Sequence, residues 1–150
     1  MEKAFWSMLS EYTVPWIAAE SNYGMELALE WIDSPKEKIA SAGWATLSSV
    51  LSIKPDSELD IDLLKSLLKR VSEQIPNSPN LVRYTMNGFI IAAGCFVPEL
   101  TEDAIKTAQI IGTVIVDMNG TSCKVPSVVD YINKVKARGT IGKKKKEARC

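Results

Sequence analysis

The chain has no histidine and three cysteines, Cys95, Cys123 and Cys150, none of them in a Cys-x-x-Cys spacing. A zinc site needs clustered thiolates or imidazoles, so no metal is expected. Ser-His and Cys-His nucleophiles are excluded outright, because the side chain that would take the proton near neutral pH is missing. Cys123 has no identifiable base beside it and reads as a packing residue. Chemistry must therefore rest on carboxylate, lysine, tyrosine or cysteine, and no cofactor is expected.

The residues better suited to binding are cations. Residues 124 to 150 carry 9 Lys/Arg against 2 Asp/Glu, whereas residues 1 to 123 carry 9 against 16, so a net charge of zero hides −7 followed by +7. Such asymmetry points to a polyanionic partner. Lys143, Lys144, Lys145 and Lys146, with Arg138 and Arg149 beside them, would screen phosphates and release counterions; the plainer reading is a solvated terminus. Lys124 precedes Val125-Pro126 at a helix start, where backbone N–H groups already favour an anion. Arg83, on an otherwise apolar helix, must find several acceptors, either on a phosphate or on an adjacent hairpin. Asn87, one turn further on, either bonds a ligand or satisfies a neighbouring helix end.

The elements that must position these residues are helical. Leu59, Leu63, Leu67 and Val71 recur four apart, with Lys65, Lys69 and Arg70 opposite, which predicts an amphipathic helix over 59–75. Ser34-Pro35-Lys36-Glu37 supplies a cap, a first-turn proline and the acid of a capping box for a helix from Pro35 to about Leu51. Ser78-Pro79 repeats that signal before the stretch Leu81 to Phe96, and Thr101-Glu102-Asp103 opens a helix reaching about Val116. A last helix begins at Pro126, carries Val128, Val129, Ile132 and Val135 on one stripe, and ends at Gly139. Residues 3–13 and 23–32 read as two further helices separated by breaks at Pro15 and Ser21-Asn22. Trp6, Trp16, Trp31 and Trp44 read as packing residues, and the acids Asp60, Asp62, Glu102 and Asp103 as helix-start charges.

Ile39-Ala40-Ser41 and Leu47 superpose on Leu81-Val82-Arg83 and Phe89 at an offset of 42 residues, which matches HEAT-type helical pairs. The expected fold is an all-α, right-handed α-solenoid of HEAT-like antiparallel hairpins over residues 1–138, followed by a basic tail over 139–150. At 150 residues one domain is the default. The longest apolar stretch, Gly88 to Pro98, is about half the roughly 20 residues that cross a bilayer, so no membrane partner is expected. Glu2 and Lys3 before Phe5 and Trp6 do not form a secretory signal, and a cytoplasmic location follows as an expectation.

Several segments resemble, in order and spacing, a bacterial branch of the DNA alkylation repair family. They are Glu30-Trp31-Ile32-Asp33-Ser34, Ala42-Gly43-Trp44-Ala45-Thr46, Val82-Arg83-Tyr84-Thr85-Met86-Asn87, Ile111-Gly112, Val116-Asp117, Thr121-Ser122-Cys123-Lys124-Val125-Pro126, Tyr131-Ile132 and Gly142-Lys143-Lys144. The resemblance, to AlkD-like proteins, covers roughly residues 22 to 150. It implies HEAT-like repeats whose basic concave face holds duplex DNA by backbone contacts, with Arg83, Asn87, Lys124, Arg138 and Lys143 to Lys146 as the expected contact residues. It also implies a DNA glycosylase activity on alkylated purines, served by aromatic side chains, one carboxylate and an arginine.

The sequence departs from that catalytic pattern. Ala40-Ser41 stand where the family's arginine is expected, and the later tryptophan falls near Asn87. Trp6 aligns with a family tryptophan, but Ser10 takes the place of its acid. Whether the chain is an enzyme is thus left open, and the alternative is a non-catalytic HEAT-repeat scaffold for DNA or protein. Relative to full-length members the chain reads as shortened at its N-terminus. That would expose apolar surface around Phe5, Trp6 and Trp16 and drive self-association.

Overall fold

The computed structural model describes residues 9–117 and 124–149, apart from the side chain of Ser10. Phe5, Trp6, Asn119-Gly120, Cys123 and Cys150, together with the readings attached to them, lie outside the described residues. Seven α-helices are described: α1 (Val14–Glu20), α2 (Gly24–Ile32), α3 (Glu37–Ile53), α4 (Ile61–Gln74), α5 (Asn80–Phe96), α6 (Thr101–Ile111) and α7 (Val128–Ala137). A π-helical turn, Leu9–Thr13, runs directly into α1. The described residues contain no strand.

The local signals act through identifiable bonds. The Asp60 carboxylate accepts from the N–H of Leu63 at 3.0 Å and starts α4, which buries Leu64, Leu67, Leu68 and Val71 and leaves Lys65 and Lys69 in solvent. The Ser127 hydroxyl accepts from the N–H of Asp130 and starts α7, whose buried contacts are Val128 and Ile132.

Three expectations are corrected. Pro15 does not break the chain: it sits in the first turn of α1, where its missing N–H leaves no helical bond unmade. The helix from Thr101 stops at Ile111 instead of Val116, because Gly112 takes φ +71° and ψ −147°, a conformation that no helix continues through. Residues 113–117 then run without regular structure, and Asn80 holds their end with both amide groups, to the N–H of Asp117 at 2.7 Å and its carbonyl at 2.8 Å.

The Ser34–Glu37 capping box is the third. Glu37 opens α3, yet its carboxylate accepts from the N–H of Leu81, 2.9 Å away at the start of α5. Helix α5 has Pro79 at its own cap position and no side-chain cap, so an orphan donor of one hairpin is satisfied by an acid from the preceding one. Glu37→Ala should therefore lower stability by about 1 kcal/mol, the usual worth of a helix cap. Urea titration checks this, with Glu37→Gln, which keeps an acceptor, expected to cost less.

The helices form two rows. α1, α3, α5 and α7 pack side by side in one; α4 and α6 adjoin in the other, which α2 also joins by lying against α3. The centre is the pair α3 and α5, each of 17 residues. The internal repeat is visible in their burial: Ala40 matches Val82 and Leu47 matches Phe89, all in the core. Trp44 is completely buried between the rows, with the Phe89 ring 5.2 Å away and the Arg70 guanidinium 5.8 Å above its own ring. Gly43 permits the closest approach of α2 to α3, since a Cβ there would stand 2.6 Å from the backbone nitrogen of Ile32 and 2.9 Å from the carbonyl of Ala28.

The chain after α7 turns at Gly139 and Gly142, both at positive φ, and runs back across the ends of the inner helices. The N–H of Gly142 donates to Cys95 in the last turn of α5, that of Lys145 to Ser52 in the last turn of α3, and that of Ala148 to the Glu20 carboxylate closing α1. Residues 139–149 thus form a strap over α5, α3 and α1, pinned by the burial of Ala148. No single helix among the described residues is long and apolar enough to cross a membrane.

Candidate functional site

The inner row and the strap enclose a cleft of about 500 Å3. Helix α3 supplies Ser48 and Ser49, and α5 supplies Tyr84, Asn87, Gly88 and Cys95. Helix α7 adds Tyr131, the π-turn adds Glu11 and Tyr12, and α1 adds Trp16. The strap closes one side with Lys143 and Lys145.

Each wall has a physical reason. At Gly88 an added Cβ would meet nothing within 4 Å, so the cleft is open above the middle of α5. The Ser48 and Ser49 hydroxyls donate back to the carbonyls of Trp44 and Ala45, both at 3.0 Å, leaving their oxygen lone pairs available to accept. Tyr12 and Trp16, four residues apart, form a tilted aromatic pair with centroids 5.6 Å apart. Burial pushes the Cys95 thiol up to about 11, so this cysteine is no nucleophile at neutral pH.

Burial also raises the Glu11 carboxyl above its ordinary 4.5. The folded state then holds the proton more tightly than the unfolded chain, so ionised Glu11 costs the fold. That cost is absent at low pH and grows as pH rises through and above 4.5. Glu11→Gln should accordingly raise the thermal midpoint at pH 7 and leave it unchanged near pH 3. Because the side chain is only half buried, the effect is modest.

The strap divides the expected contact residues. Lys143, Lys145 and Asn87 come together around the cleft. Lys144 is turned away from it: its ammonium lies 2.7 Å from Asp56 and 3.0 Å from the carbonyl of Leu51, with 19% of the side chain exposed. A cation at the carboxyl end of α3 is favoured by the helix dipole as well as by Asp56. Lys145 extends over the Phe96 ring at 5.9 Å. Lys146, Arg138 and Lys124 are exposed and do not line the cleft. Asn87 is 2% exposed and donates to the Pro126 carbonyl, so it also anchors the segment leading into α7. Arg83 lies outside the cleft, and its Nε is buried with no hydrogen-bond partner among the described residues. Ser41, where the arginine of active family members is expected, is completely buried in α3.

Among the cleft residues not anticipated from sequence are Glu11, Tyr12, Ser48, Ser49, Tyr84 and Tyr131, with Trp16 read there as packing. Tyr84 and Tyr131 stand inside the family-like segments, which was the available signal.

Paired helices stacked in two rows, with a cleft on the inner row, define an α-solenoid of the HEAT-like class. No family model matches the chain. A solved structure of a new family of proteins related to the HEAT-like repeat DNA glycosylases, with affinity for branched DNA structures, is 30% identical; the match has a TM-score of 0.89 and covers 98% of this chain and 63% of that one. Two uncharacterized proteins, from Listeria innocua and Listeria monocytogenes, are 35% and 33% identical over 133 residues, covering 89% of this chain. The chain spans 56% of the length of each of these curated relatives. The chain is AlkD-like: in sequence and fold it is similar to a family of proteins related to the HEAT-like repeat DNA glycosylases.

Proposed function

We propose that the chain binds DNA through the inner face, by sequence-independent phosphate contacts from the lysines of the strap, and that it shares the affinity of its structural relative for branched forms. The observation that carries this reading is the position of Lys143 and Lys145: both are exposed at the cleft, and neither is paired with a carboxylate among the described residues. The kinship with a family of branched-DNA affinity supplies the polyanion.

Salt dependence tests it. Each lysine that neutralises a phosphate contributes about 0.9 to the slope of log affinity against log salt. Lys143→Gln and Lys145→Gln should each flatten that slope by about one, whereas Lys144→Gln, whose ammonium is committed to Asp56 and the end of α3, should leave it unchanged. Absence of binding to duplex and to three-way junctions at low ionic strength would sink the reading.

Excision of alkylated purines is a second reading. Its support is Glu11, the one carboxylate among the described residues lining the cleft, beside Tyr12 and Trp16. Release of 7-methylguanine from methylated DNA tests it, and a yield no higher than that of Glu11→Gln refutes it.

A further inference from the structure

We infer that the cleft holds an unpaired nucleotide of the bound strand, so that the protein recognises branched DNA by the unstacked base at the branch point. The inference rests on the DNA-binding reading above and adds to it the part of the DNA that the site takes. Three observations carry it.

The first is size. A cleft of about 500 Å3 lies in the range of roughly 300–1,000 Å3 in which pockets enclose a small ligand; it admits a nucleotide, and a duplex could only lie across its mouth. The second is the wall chemistry. Five aromatic side chains, Tyr12, Trp16, Tyr84, Phe96 and Tyr131, reach the cleft from the π-turn, α1, α5 and α7, and Tyr131 keeps 48% of its surface exposed although it is a large ring. Phosphates gain nothing from aromatic rings, whereas an unstacked base has a π-face that stacks on them.

The third is polarity. The lysines stand on the strap side, and the polar lining elsewhere includes the Ser48 and Ser49 hydroxyls, whose lone pairs can accept, and the Glu11 carboxyl. These three groups can accept from the N–H groups of a base, and the carboxylate repels a phosphate. An aromatic platform flanked by cations and facing acceptors fits a nucleotide whose phosphates stay at the strap and whose base enters the cleft.

The test uses the full chain and three-way junctions that carry either no unpaired base or one 2-aminopurine unpaired at the branch point. The unpaired junction should bind about 10-fold more tightly than the fully paired one, on the worth of a single base–aromatic stack, with the fluorophore quenched. Tyr131→Leu and Tyr84→Leu should remove that preference and the quenching while leaving affinity for the fully paired junction unchanged. Circular dichroism and urea midpoints confirm that both variants fold. Free deoxyadenosine monophosphate at the DNA concentration should not restore the fluorescence; restoration would overturn the assignment to a strand-borne nucleotide. Equal affinity for the two junctions with no quenching overturns the inference and leaves DNA binding standing. Failure of every DNA to bind at low salt overturns both.

Discussion

Replacing Trp44 with alanine is expected to cost about 4 kcal/mol, the scale of deleting a large aromatic from a packed core. The ring is completely buried, meets Phe89 at 5.2 Å and lies under the Arg70 guanidinium, which also binds Asp33 at 2.7 Å and so ties α4 to the end of α2. Truncation leaves a cavity where both rows meet, and the relaxation that could fill it is opposed by the close contact of α2 with α3 at the adjacent Gly43. Trp44→Phe separates packing from polarity. The indole Nε1 is buried with no hydrogen-bond partner among the described residues, so phenylalanine removes an unsatisfied donor while losing only part of the volume, and should cost less than half as much. Urea midpoints at constant slope measure both. A loss below about 1 kcal/mol for the alanine variant would mean that the core is not centred on this ring.

Deleting residues 140–150 is expected to destabilise the protein by about 2 to 3 kcal/mol and to weaken DNA binding together. The strap makes four hydrogen bonds to helix ends, through Gly142, Lys144, Lys145 and Ala148, besides the Lys144–Asp56 pair. Each such bond is worth about 0.5–1.5 kcal/mol net, and the burial of Ala148 adds to them. Two variants separate the effects. Gly142→Ala leaves every lysine in place but needs φ +79° and sets a Cβ 2.7 Å from Pro98, so it should release the strap and lower stability. Lys143→Gln with Lys145→Gln keeps the strap and removes charge, so it should weaken DNA binding at unchanged midpoint. Thermal melts and binding isotherms on the same three proteins give the comparison.

Helices were legible where the information is local. The leucine spacing of α4 and the acid Asp60 at its start lie within a turn or two of what they organise, and they act as their sequence dictates. Glu37 was read as capping its own helix, but its partner Leu81 is 44 residues away, at a distance that no capping pattern encodes. The basic end read as a run of equivalent phosphate contacts. In the fold, successive lysines face different ways, and Lys144 pairs with Asp56 while Lys136 pairs with Glu102, so part of the charge asymmetry is neutralised within the chain. The cleft was hardest to see. Tyr12, Tyr84 and Tyr131 belong to segments that only the stacking of alternate helices brings to one face.

Arrays of helical pairs normally behave as a line of neighbours, each stabilised by the next, able to fray from either end and to flex like a spring. The bond from Ala148 to Glu20 joins residues 128 apart and sets the last segment against the first described helix. That contact can form only after α1, α3 and α5 are stacked, so it closes late in folding, and once closed it makes loss of either end a loss felt by both. The tie also fixes the curvature of the inner face: the array cannot flatten or open around a wider object without first releasing its own C-terminus.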